Sequence, residues 1–120
     1  MITKDQTLEV PEPVIVSAQD IPVDIYASED VYFLVRYDST MNKWEEGAGS
    51  ILEELIKSNF HPQQAWFPIG VTRCMAPNVH EAFIVQLEKP DIQILENGFI
   101  TDTDSLNLNC GIEEFKYYSF

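Results

Sequence analysis

Alternation of apolar and polar residues carries most of the structural information in this chain. Residues 31–37 place Val31, Phe33, Val35 and Tyr37 on one side and Tyr32, Leu34 and Arg36 on the other. Period-two spacing of this kind marks a β-strand, and apolar residues on both sides mark a central one. Residues 82–88 repeat the pattern, with Phe83, Val85 and Leu87 on one face. An aromatic strand is expected over 114–120, where Phe115, Tyr117, Tyr118 and Phe120 crowd together. Shorter strands are expected at 14–16 and 23–26 from their β-branched content. Residues 65–75 are apolar but broken by Pro68 and Gly70, which predicts an edge strand or a bulge. Asn97-Gly98 is a hairpin signal between 92–95 and 99–100.

Only one segment switches to helical spacing. Ile51, Leu52, Leu55, Ile56 and Phe60 recur at helical intervals, with Glu53, Glu54 and Lys57 opposite. Ser50 and Glu53 have the spacing of a capping box. Asn59 suits a left-handed C-terminal position and Pro62 forbids continuation, so the helix is predicted over residues 50–59. A helix of about ten residues is marginal alone and needs a sheet beneath its apolar stripe. The expected fold is therefore α+β: a mostly antiparallel β-sheet with one principal short α-helix packed on it.

The 120 residues are the size of one domain, expected to span 1–120 without an internal linker. Two cysteines, Cys74 and Cys110, lie in strand-like surroundings and are expected as buried free thiols. The chain has no apolar run of about 18 residues, the minimum for a membrane span. Its first residues carry no apolar core after Lys4, so neither a signal peptide nor a membrane is expected, and the location is expected to be cytoplasmic.

Charge alters this picture of an ordinary small domain. Twenty acidic residues face seven basic ones, a formal charge of −13, while charged residues in total are only 22% of the chain. The imbalance thus comes from missing Lys and Arg. A charge of this size governs encounters with other molecules and says nothing about fold. It argues against DNA, RNA and anionic membranes as direct partners and favours a basic protein.

Motifs for chemistry are weak. His61 and His80 lack ligand spacing, so no metal is expected and no cofactor. Gly47-Ala48-Gly49-Ser50 precedes the helix but lacks the Lys of a phosphate loop, and Glu45-Glu46 stand before it. Asp102-Thr103-Asp104-Ser105 opens like a calcium loop, but Leu106-Asn107 breaks the pattern. Asp102 and Asp104 are instead expected on one face of an extended segment, as an acidic contact. Trp44, between Lys43 and Glu45, fits a binding anchor or folds back over the helix start.

These features together predict a small non-enzymatic binding or inhibitor protein that occupies a basic, nucleic-acid-binding surface on a larger partner. Immunity proteins and phage anti-defence proteins that mimic nucleic acid are of this type. The expected contact residues are Trp44, Glu45, Glu46, Asp102 and Asp104. One alternative is a small enzyme or ligand-binding domain using Cys74, His80 and Glu81. Another is a subunit whose terminal aromatic strand pairs across an interface.

Overall fold

The structure, a computed structural model, describes residues 9–36, 44–88, 94 and 98–120, with Glu45 described by its backbone alone. It is an α+β fold. Strands β1 (Val14–Ser17), β2 (Val31–Val35), β3 (Pro62–Ile69), β5 (Ala82–Leu87), β6 (Phe99–Ile100) and β8 (Glu114–Ser119) form a six-stranded sheet in the order β1-β8-β3-β5-β2-β6. Every neighbouring pair in it is antiparallel. Strands β4 (Val79–His80) and β7 (Asn107–Leu108) make a separate parallel pair.

Both faces of the sheet are covered, which explains the apolar character of both sides of β2 and β5. On the first face, Leu34, Ala65, Phe83, Val85 and Tyr118 pack under Ile51, Leu52 and Leu55 of helix α1 (Ala48–Lys57). On the second, Phe33, Val35, Trp66, Ile84 and Phe115 lie under Ile21, Ile25 and Ile112, with Leu106 and Leu108 from the region of β7. Burying Ile21, Ile25 and Ile112 of this second cover supplies on the order of 1.5–3 kcal/mol each, and the partly buried Leu106 and Leu108 supply less. No helix among the described residues is long and apolar enough to cross a membrane.

Several expectations are corrected. The helix begins at Ala48, and its N-cap is Gly47 at φ +99°, with no side-chain cap. Ser50 therefore lies inside the first turn instead of capping it; the buried Ala48 draws that turn into the core. A capping box does exist at Ser17 and Asp20, around a 3-10 turn over Ala18–Asp20. Residues 23–26 do not form a strand. A 3-10 turn runs over Ile25–Ala27, since Pro22 and Asp24 carbonyls accept from Ile25 and Ala27 N–H. Ile21 and Ile25 dip into the core while Val23 is 97% exposed. Asn59 does adopt a positive φ, +72°, after the helix.

Strand β3 is not an edge: β5 and β8 flank it. Its register with β5 shifts between Pro62 and Gln64, so the bulge sits at the end of the strand far from Pro68. The last pair of that ladder is Trp66 with Ile84. Continuing the register would set Pro68 opposite Ala82, where proline has no N–H to offer. Asn109 fills the gap. Its Oδ1 accepts from Ala82 N–H at 2.8 Å and its Nδ2 donates to Ala82 C=O at 3.1 Å. The side chain of Asn109 thus replaces one strand residue.

The terminal strand β8 lies between β1 and β3, so the exposed aromatic edge expected of it is absent. The outer edge belongs to β1, and it is blunted. Ala18 N–H donates to Glu113 C=O, which by strand alternation turns Val14 and Val16 N–H inward and Ile15 and Ser17 outward. Ser17 N–H is already held by Asp20 Oδ2 at 3.0 Å, and Pro13 has none.

Cys74 and Cys110 are joined by a disulfide, with Cα atoms 5.7 Å apart and the two residues 36 positions apart in sequence. The expected free thiols are thereby overturned. The bond ties the segment after β3 to the residue pair following β7, and Arg73 N–H donates to Cys110 C=O beside it. The expected hairpin at Asn97-Gly98 falls partly on residues outside the described ones.

Candidate functional site

The residues expected to make contact lie in two separate places. Trp44 and Glu46 belong to a 3-10 turn at the entrance to α1. Trp44 is half-buried, its ring 5.1 Å from that of Phe67, which in turn sits edge-on to Phe83. This is the fold-back alternative, so the indole helps to close the first face of the core. Glu46 is exposed, and nothing is described of the Glu45 side chain. Asp102 and Asp104 follow β6 on the far side of the Phe33–Ile100 pair, toward the Val31 end of β2. Trp44 is at the opposite, Val35 end, since Phe67 lies past the Trp66–Ile84 pair. The structure does not unite the two acidic sets.

Asp102 and Asp104 are exposed, but their segment is a turn and not an extended strand. Asp104 N–H donates to Asp102 Oδ1 at 3.2 Å, and Leu106 N–H to Thr103 C=O at 3.0 Å. The turn brings both carboxylates to a groove of about 580 Å³ whose other wall is the segment 26–29. Tyr26, Glu29, Tyr32, Asp102 and Asp104 line it, and among the described residues no Lys or Arg does.

Tyr26 is the best-fixed of these. Its ring stacks on Phe33 with centroids 5.8 Å apart and planes 7° from parallel. Phe33 is buried behind it, and Tyr26 as a residue is 36% exposed. Burial of the hydroxyl pushes its pKa up, and the Asn109 side chain beside it pulls the other way. An aromatic plane held from behind and at its tip, in a groove that three carboxylates also line, is suited to a cation.

A second hollow of about 260 Å³ lies on the same sheet face, against Trp66 and Tyr117. Polar side chains near it form a chain across three strands to the residue preceding β2. Tyr117 Oη donates to Gln64 Oε1 at 2.7 Å, Gln64 Nε2 to Gln86 Oε1 at 2.7 Å, and Gln86 Nε2 to Asp30 Oδ2 at 3.0 Å. These groups satisfy one another, which makes the ladder a structural element first.

The alternative set of Cys74, His80 and Glu81 does gather at one corner, because Asn109 N–H donates to His80 C=O and Cys110 follows directly. Its chemistry is committed elsewhere. The Cys74 sulfur is in the disulfide, and a nucleophilic role requires a free thiolate. Glu81 is buried; its Oε2 accepts from Thr72 N–H and Oγ1, and its Oε1 lies 3.5 Å from Arg36 Nη1. His61 and His80 flank opposite ends of β5, for Glu88 N–H donates to His61 C=O while His80 precedes Ala82. Six strand residues hold them roughly 20 Å apart. Among the described residues no cluster of three or more His, Cys, Asp or Glu could hold a metal ion.

Tyr26, Glu29 and Tyr32 were not expected at the site. Nothing local marks them, because the pairing of β2 with β6 and the turn at 101–104 create the groove. Comparison with family models, with curated proteins and with solved structures finds no match to this chain.

Proposed function

We propose that this protein is a non-catalytic binding protein that occupies a basic surface on a larger protein partner. The observation that carries the reading is the acid excess, a formal −13, combined with its placement: Glu9, Glu12, Asp20, Asp24, Glu29, Glu46, Asp102, Asp104, Glu113 and Glu114 are all exposed. Such a surface steers encounter with a basic patch and competes for the Lys and Arg that would otherwise hold phosphates. Immunity and anti-defence inhibitors of nucleic-acid-binding proteins remain the functional types that this chemistry fits.

The disulfide supports a setting different from the cytoplasm, because such bonds persist in oxidising compartments. A basic partner met outside the reducing cytosol is accordingly favoured over a cytosolic one.

The test is affinity capture at low salt, identification of the bound protein, and measurement of its association rate against ionic strength. An unrelated acidic protein of equal charge serves as control. Association should slow steeply as salt rises, because exposed charges are screened beyond about 8–10 Å at physiological salt. A partner bound equally by the control, or an association rate indifferent to salt, would overturn the proposal.

A further inference from the structure

We infer that the groove between the Ile25–Ala27 turn and residues 101–104 receives an arginine side chain of the basic partner, its guanidinium lying flat on the outer face of Tyr26. This rests on the basic-partner reading and adds to it a site and a recognised group.

Three features select the ligand. The first is shape. A volume of about 580 Å³ falls within the roughly 300–1,000 Å³ range of pockets that hold a small ligand. It has room for one long side chain and the backbone that carries it. The second is the plane of Tyr26, which Phe33 backs and which is fixed before any ligand arrives. Guanidinium stacks on such a plane better than ammonium does, being flat and less strongly hydrated. The third is charge: Glu29, Asp102 and Asp104 line the groove, with no cation among its described lining residues. With its face on the ring, a guanidinium still directs its N–H donors outward in plane, toward carboxylates at the groove wall.

Other occupants fit less well. A phosphate or nucleic-acid backbone would meet three carboxylates. A metal ion would gain nothing from the tyrosine plane, and Asp102 Oδ1 is already engaged by Asp104 N–H. An apolar side chain would leave the carboxylates without a partner.

The experiment is an NMR titration of the ¹⁵N-labelled full chain with acetyl-Gly-Arg-Gly-amide, its citrulline counterpart, and deca-arginine. Citrulline keeps the shape of arginine and removes its charge. Saturable shifts are expected at the amides of residues 26–29 and 101–104 with the arginine tripeptide. Binding of the citrulline peptide should be weaker by about tenfold or more, the worth of a charge-assisted contact. Asp102→Asn with Asp104→Asn should weaken the arginine peptide by a similar factor, and Tyr26→Leu should weaken it while Tyr26→Phe retains it. The surface aspartate pair keeps the test decisive if Tyr26→Leu unfolds. Equal binding of citrulline, or no effect of the aspartate pair, would overturn the inference. Deca-arginine that binds with shifts mapping elsewhere would overturn the groove and leave the basic-partner reading standing. No binding of deca-arginine at low salt would remove both.

Discussion

Replacing Asn109 with glycine should cost the protein about 3 kcal/mol, because one side chain there does the work of a strand residue. Ala82 is fully buried, and both its backbone groups on the β3 side end on Asn109, at 2.8 and 3.1 Å. Deleting the amide orphans a buried N–H and a buried C=O at roughly 1–3 kcal/mol each. Water entering the vacated space should hold the sum toward its lower half. Asn109 has φ +59°, which glycine adopts freely, so the substitution adds no left-handed strain of the kind alanine would. A loss of about 3 kcal/mol is a large share of the roughly 5–15 kcal/mol by which domains are stable.

Equilibrium urea unfolding, followed in parallel by tryptophan fluorescence and far-UV circular dichroism, reads this cost. With a slope of about 1.5 kcal/mol/M, the midpoint should fall by about 2 M. Pro68 supplies the control. If Asn109 stands in for the hydrogen bond that Pro68 cannot make, then Pro68→Val should recover part of the loss in the Asn109→Gly background. In the unmodified protein the same change should recover nothing, since Ala82 is already satisfied. The resulting coupling should exceed about 0.5 kcal/mol. A cost under about 1 kcal/mol, or the same effect of Pro68→Val in both backgrounds, would refute the surrogate-strand argument.

Two further outcomes follow from the cover and the edge of the sheet. Cys74→Ser with Cys110→Ser releases a 36-residue loop, which the chain-entropy relation converts to about 4 kcal/mol; a urea midpoint shift worth under about 1 kcal/mol would mean the loop is held without the bond. Pro13→Val with Asp20→Ala frees the outward backbone donors of β1 beside the exposed Val14 and Ile15, and should produce concentration-dependent association in sedimentation velocity. Sedimentation unchanged across concentrations would show that these two residues do not protect the edge.

How far the sequence discloses this fold depends on whether a feature is periodic or is made by contacts between distant segments. Strands β2, β5 and β8 and helix α1 are legible because burial imposes a period on their side chains. Pro68 is legible only as an anomaly. It signals a broken ladder, but the residue that mends it lies 41 positions later. Residues 23–26 mislead because β-branched content describes a preference for a pleated surface, while Ile21 and Ile25 at four-residue spacing are what the core selects. Asp102 and Asp104 are visible as an acidic pair. Their partner across the groove, Tyr26, is not, since it is stacked on Phe33 by packing that no local signal announces. The cysteines are likewise silent about each other until β7 is laid beside β4.

The blunted edge bears on how the protein can recognise anything. A sheet protein has three ways to bind: adding a strand to an edge, presenting an open face, or using loops. The edge at β1 offers one outward N–H, from Ile15, between Pro13 and the Asp20-held Ser17. The edge at β6 is two residues long. One face is covered by α1 and the other by the Ile21–Ile25 segment and the disulfide-tied β4–β7 pair. Strand addition and face packing are therefore poor options, and recognition falls to side chains on the connecting turns. Those turns carry the exposed acids Asp24, Glu29, Asp102 and Asp104 and, in Tyr26, an aromatic plane fixed at a groove. Charge supplies the rate of encounter there, and the tyrosine supplies the geometry that charge alone lacks.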